Sequence, residues 1–168
     1  MIEVTYIDHM GSDLSVVNAA RVSFGKKSEA LGTSGIVGEP MTPILNDPDK
    51  RLIKYLAKHK HMSPFGHAFA SFHVKAPIFV ARQLVKHKFL RWNEISRRYV
   101  DDEPEFYVPD QWRGRSADKK QGSDGVVCTD TLVGSAGYNH HCNTFYQDLI
   151  DSDIAPEQAR MVLPQSTM

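Results

Sequence analysis

The sequence predicts an α/β protein of the α+β kind, a single domain with helices packed on a mostly antiparallel central sheet. Two stretches alternate apolar and polar residues, Ile2–Ile7 and His67–Lys75, which is the period of a strand with one buried face. Four other stretches carry apolar residues at helical spacing, near 14–22, 48–60, 77–87 and 138–150. The chain has 168 residues and 41% hydrophobic content, enough for one ordinary core.

Taken in order, Ile2–Ile7 opens as a strand, and Asp13 is placed to cap a helix from Leu14 to about Val22. Residues 25–48 are rich in Gly, Pro, Ser and Thr and read as a surface loop insertion. The next helix, from Pro48 to Lys60, should bury Leu52, Ile53, Leu56 and Ala57, and Ser63-Pro64-Phe65-Gly66 ends it. In the strand that follows, Phe69 and Phe72 are expected in the core, with Phe79 beyond it. Pro77 suits the first turn of a buried helix to His87, where its missing N–H is harmless. Arg82 and Lys86 share one face of that helix, with Gln83 beside them, as the wall of a polar pocket. Glu94–Val100 is expected to be extended, Pro104–Gln121 a loop, and Ser123-Asp124-Gly125 a turn. Helices near Tyr138–Ile150 and from Pro156 close the chain.

Basic and acidic residues balance at twenty each, so no overall field draws the chain to nucleic acid or to a membrane surface. No apolar run approaches the length of a membrane span, and the expected location is the cytoplasm. Cys128 and Cys142 are too few for a disulfide framework. His59, His61, His67 and His73 lack the spacing of a zinc site, so no metal is expected.

The charge is concentrated locally. Arg82, Lys86, Lys88, Arg91, Arg97 and Arg98 stand against one carboxylate, Glu94. Lysine, histidine and arginine side chains supply charge and donors for a phosphate. Gln83 and Asn93 each carry donors and an acceptor, the equipment for reading the edge of a uracil or flavin ring. A solvated basic face is the plain alternative, and a nucleic-acid-binding module would use the same residues.

The order of residues resembles the signature of flavin-dependent thymidylate synthases. That signature is Arg-His-Arg, seven residues, Ser, then Arg-Tyr; here it reads Lys86-His87-Lys88, seven residues, Ser96, then Arg98-Tyr99. Three further pieces resemble the family in order: Ala19 to Phe24, His59 to His67, and Ala159-Arg160-Met161-Val162-Leu163-Pro164. The resemblance implies conversion of dUMP to dTMP, with methylenetetrahydrofolate as carbon donor, FAD as hydride carrier and NADPH as reductant. It places Gln83, Lys86, Glu94, Ser96, Arg97, Arg98 and Arg160 at dUMP. It places Ser23, His61, Ser63, His87 and Lys88 at FAD, with His61 also close to the folate. It further implies a homotetramer whose active sites are shared between subunits.

Departures from the pattern carry their own expectations. Lys86 and Lys88 keep charge but lose the planar fork of arginine, which Arg91 or Arg97 is expected to restore. Gly66 stands where the family often has an acidic residue. Ser96 has no base near it in sequence, so it is assigned to substrate binding and not to nucleophilic attack. The family continues past Val162-Leu163-Pro164 into a segment that contributes to FAD and dUMP binding. The chain is therefore expected to be a C-terminally incomplete synthase domain, binding flavin poorly by itself. An inactive or split fragment that only oligomerises or binds nucleotide is the alternative.

Overall fold

The computed structural model describes residues 1–35, 41–118, 120, 122–127 and 132–168, with the backbone alone at 132 and 133. The architecture is α+β, and by contacts the chain divides into two compact units. One is Val4–His73; the other is Met1–Glu3 with Val74–Met168. Among the described residues the strands form three two-stranded sheets, where one continuous sheet was expected.

The unit Val4–His73 is built on two helices. α1 (Asp13–Val22) starts one residue earlier than the sequence indicates, because Ser12 is its N-cap. The Ser12 N–H donates to Ser15 Oγ at 3.1 Å. The helix ends in a Schellman turn: Lys26 N–H donates to Arg21 O at 3.2 Å and Gly25 N–H to Val22 O at 3.0 Å. Gly25 sits at φ 62°, the left-handed conformation this turn needs. Gly11 has φ 77°, and a Cβ there would lie 2.5 Å from the His67 carbonyl. Only glycine lets the start of α1 approach the 3-10 turn Ser63–His67 so closely.

α2 (Asp47–Lys58) is capped by Asn46, whose side chain accepts from the Asp49 N–H at 2.9 Å, and carries Pro48 in its first turn. Its burial corrects the sequence reading: Ala57 is exposed, Leu52 and Ile53 are half-buried, and Asp49 is fully buried beside Leu56. Asp49 Oδ1 accepts from both Arg21 Nε (3.1 Å) and Arg21 Nη2, and from Ser28 Oγ at 3.0 Å. Asn18 exchanges two hydrogen bonds with the Ser28 backbone. One carboxylate thus ties α1, α2 and the start of the 25–48 segment together. That segment contains a small antiparallel hairpin, β2 (Thr33–Ser34) with β3 (Thr42–Pro43), and its tip at 36–40 lies outside the described residues.

β1 (Glu3–Met10) hydrogen-bonds to β4 (Phe69–Lys75). The expected core aromatics are not buried here: Phe69 is 59% exposed and Phe72 55%, with the Tyr6 and Phe72 rings 6.0 Å apart. Among the described residues of the unit, nothing covers either face of this two-stranded sheet, so alternation correctly marks the strands without burying them.

In the other unit α3 (Ile78–Leu84) is shorter than expected and largely exposed, with Phe79 at 44%. Lys86 therefore lies past the helix end, in a turn, and does not share a helical face with Arg82. The first N–H groups of α3 are satisfied from afar, Ile78 by Thr167 O (2.9 Å) and Phe79 by Gln165 O (3.2 Å). Tyr107 N–H donates to Ser166 O, Met168 N–H to Glu105 O, and Phe106 pairs with Thr167. α4 (Leu132–Asp151) buries Tyr146 and Cys142 and packs on α5 (Pro156–Ala159). The expected loop and turn before it hold an antiparallel pair, β5 (Arg113–Arg115) with β6 (Ser123–Val126), bulged at Arg113/Gly114. Cys128 lies outside the described residues.

Burial raises the Asp49 carboxyl, but hydrogen bonds from Arg21 and Ser28, the Arg21 charge and Asn46 together bring it below its ordinary 3.8. A depressed carboxylate contributes stability above its unfolded value and loses it as pH falls through the folded one. Acid unfolding of this unit is therefore expected to gain a step below about pH 3.8 that Asp49→Asn lacks. At neutral pH Asp49→Ala is expected to cost about 3 kcal/mol by chemical denaturation, since Arg21 would lose its partner at a part-buried position. A cost under about 1 kcal/mol would show that the network does not hold the unit together.

Candidate ligand cleft and cationic segment

The unit Val4–His73 contains a cleft of about 1020 Å³, at the upper end of the usual size for small-molecule sites. The C-terminal end of α1 contributes Arg21 and Ser23, the Schellman turn contributes Lys26, and α2 contributes Arg51, Leu52 and Tyr55. The 3-10 turn and the residues before it add His61, Ser63 and His67. Among the described residues no carboxylate lines it. The Tyr55 ring lies 4.3 Å from that of His59 and meets His61 edge-on, at 6.0 Å and 88°. Ser23, His61 and Ser63, which the sequence placed at one cofactor, therefore share one space.

The remaining candidates lie in the other unit. Gln83 is exposed on α3; Lys86, His87 and Lys88 follow it in a turn, with His87 and Lys88 exposed. Among the described residues Lys86, Lys88, Arg91 and Glu94 make no ion pair. The expected extended piece is instead a turn, because Ser96 O accepts from the N–H groups of Tyr99 (2.9 Å) and Val100 (3.1 Å). Ser96 Oγ accepts from the Arg98 N–H at 3.4 Å, a contact that holds the turn. Arg98 lies 5.1 Å from the centre of the Tyr99 ring. Arg97 folds back onto Asp102, bonding its carbonyl and pairing with its carboxylate at 3.6 Å, and is only 17% exposed. Arg97 is thus engaged in the turn, whereas Arg91, close to Lys86 and Lys88 in sequence, has no carboxylate partner among the described residues. Arg160, at the end of α5, is exposed and makes no ion pair with this segment among the described residues.

Sequence reasoning missed Asp49, Lys26, Arg51 and Tyr55. Asp49 read as an ordinary first-turn acid, because its partners Arg21 and Ser28 are distant in sequence. Arg51 and Tyr55 did carry a signal, the four-residue spacing that puts both on one flank of α2. A Cβ at Gly66 would meet nothing within 4 Å, so packing does not demand glycine there.

Residues 5–168 match the family described as thymidylate synthase complementing protein. A flavin-dependent thymidylate synthase of Pseudothermotoga lettingae is 37% identical over 164 residues, covering 98% of this chain and 66% of its own. One of Thermosipho africanus is 40% identical over 167 residues, covering 96% and 66%. One of Thermus thermophilus is 38% identical over 162 residues, covering 96% and 54%. The chain thus spans less than two thirds of the length of these relatives. Among solved structures, the UMP/dUMP methylase PolB from Streptomyces cacaoi bound with 5-Br UMP superposes with a TM-score of 0.75 at 37% identity. That match covers 99% of this chain and 68% of PolB. The same enzyme bound with 5-Br dUMP gives 0.73 at 38% identity.

The fold is thus shared with the UMP/dUMP methylase PolB. The chain belongs to the thymidylate synthase complementing protein family, that of the flavin-dependent thymidylate synthases.

Freedom of Arg91 and engagement of Arg97 lead to opposite expectations for nucleotide binding. By calorimetry, Arg91→Ala should weaken dUMP about tenfold, the worth of one charge-assisted hydrogen bond. Arg97→Ala should change it about twofold or less. Equal losses would mean that the Arg97–Asp102 pair opens to meet the nucleotide.

Proposed function

We propose that the protein carrying this chain converts dUMP to dTMP, with methylenetetrahydrofolate as carbon donor, FAD as hydride carrier and NADPH as reductant. The observation that carries this reading is the cleft, which Ser23, His61 and Ser63 line together with the Tyr55 ring. A flat, phosphate-bearing cofactor suits a space with cations on its rim, aromatic edges on its wall and no carboxylate among its described lining residues. Family membership and the brominated uracil nucleotides held by PolB support the substrate.

Bound flavin supplies the hydride, and the protein's part is binding, orientation and electrostatics. Ser23 and Ser63 offer hydroxyl groups to FAD from two walls of the cleft, and His87 and Lys88 are the further residues that the family resemblance assigns to this cofactor. His61 presents its ring edge where flavin and folate meet. For dUMP, Gln83 offers a paired donor and acceptor to the uracil edge. Lys86, Arg98 and Arg160 supply phosphate charge, and Glu94 accepts from a ribose hydroxyl. Arg97 fixes the turn that presents Arg98. Ser96 acts by shaping the same turn through its bond from the Arg98 N–H. Among the described residues no histidine or carboxylate is bonded to Ser96 as a base, which accords with binding and not attack.

Assembly as a homotetramer with shared sites agrees with the exposed apolar residues of β1 and β4, which a second copy would cover. No helix among the described residues is long and apolar enough to cross a membrane, and we assign the protein to the cytoplasm. The whole of 1–168 is read as one synthase domain, with 25–48 as its inserted loop.

Titration of the purified chain with FAD, followed by visible absorption, tests the reading. Weak binding that shifts the flavin band, responds to added dUMP and falls about tenfold in His61→Ala is the expected outcome. A chain that leaves both ligands unperturbed at every concentration would overturn it.

A further inference from the structure

We propose that Lys26 and Arg51 form an anion-recognising rim that reads the charged tail of a flat heteroaromatic ligand whose ring lies against Tyr55 and His61. The inference rests on the functional reading above and deepens it at residues that reading does not use. Three observations carry it.

The first is the charge of the cleft. Arg21, Lys26 and Arg51 line it, and among the described residues no carboxylate does. Arg21 is neutralised by the buried Asp49, whereas Lys26 and Arg51 make no ion pair among the described residues. Their positive charge therefore faces the cleft uncompensated. An anion entering there displaces water and no protein partner.

The second is their placement. Lys26 is the residue whose N–H closes the Schellman turn on Arg21 O at 3.2 Å, so its backbone is fixed on the wall and does not trail into the loop. A Cβ at Gly25 would meet nothing within 4 Å, so glycine is held there by its positive φ alone. That conformation is what presents Lys26.

The third is the ring beside them. Arg51 and Tyr55 are four residues apart on α2, about 6 Å along the axis on the same flank. Tyr55 is held by His59 at 4.3 Å and by the edge of His61 at 6.0 Å. Arg51 and Tyr55 thus put a cation and an aromatic platform on the same flank of α2, both lining the cleft. Two ligand classes of the proposed reaction share that chemistry: a flavin with its phosphates, and a folate with its glutamyl carboxylates.

Matched probes separate the sources. FMN and riboflavin share a ring and differ in the phosphate. 5-Formyltetrahydrofolate and a tetrahydropterin lacking the aminobenzoyl-glutamate arm differ in the carboxylates. Affinities of all four are measured for the wild-type chain and for the double variant Lys26→Glu/Arg51→Glu.

The expected result is a loss of about 20-fold for one tailed probe, with its tail-less partner changed less than about twofold. Where the tail-less partner shows no measurable binding, the loss of the tailed probe in the double variant alone decides for the rim. The responding pair identifies the source. Rising salt should weaken the tailed probe in wild type and not in the variant. Arg51→Lys should keep most of the affinity. Unchanged affinity for both tailed probes, or equal losses with and without tail, overturns the rim. A flavin bound alike by wild type and variant overturns the rim for that source and leaves the functional reading intact. A wild-type chain that binds none of the four overturns both.

Discussion

The buried carboxylate of Asp49 organises the unit Val4–His73. It has no exposed surface, and on its Oδ1 converge Arg21 from α1 and Ser28 from the following segment. A buried charge needs donors, and because every side-chain donor falls on Oδ1 while Oδ2 is buried without a partner, the network requires that all three pieces be in place at once. Its consequence is geometric. With Arg21 held, the end of α1 and its Schellman turn are held, and with them Ser23 and Lys26 on one wall of the cleft. With α2 held by the same group, Arg51 and Tyr55 form the other wall. Gly11 completes the arrangement by letting the turn that carries Ser63 lie against the start of α1.

The residues proposed to bind ligands divide between the two compact units. Ser23, His61 and Ser63 stand in a formed cleft, while the Lys86–Arg98 segment is a cation-rich turn stabilised from within by Ser96 and Arg97. Phe69, Phe72 and Phe79 are apolar side chains left in contact with water. Isolated two-stranded sheets are marginal, and exposed apolar faces of this kind mark surfaces that are covered in the working protein. A cation-rich turn with few internal partners is likewise suited to meeting a ligand or another subunit.

Sequence features are legible where the determining interactions are local. The strands beginning near Ile2 and ending at Lys75 and the helix after Ser12 follow from period and caps within a few residues, whereas the late helix begins at Leu132, six residues before the expected Tyr138. The ordered pieces around Ser23, His61, Lys86 and Arg160 point to the family, and the match over residues 5–168 bears that out. Corrections fall where the deciding hydrogen bonds leave no mark on periodicity. The start of α3 is held by Thr167 and Gln165, partners that local spacing does not reveal. Ser96 and Arg97 close a turn through Tyr99, Val100 and Asp102, so a stretch read as extended is bent.

By itself, then, the sequence determined the class of fold and the family, and it named the candidate residues for meeting a nucleotide. Periodicity, capping and motif order are one-dimensional properties, and they survive without coordinates. Tertiary structure decided which acid is buried, which arginine is free, and which residues share a cleft. Asp49 against Arg21, Arg97 against Asp102, and Tyr55 against His61 are outcomes of competition for partners in space. No local pattern settles that competition, because the desolvation of a charge is fixed by everything packed around it.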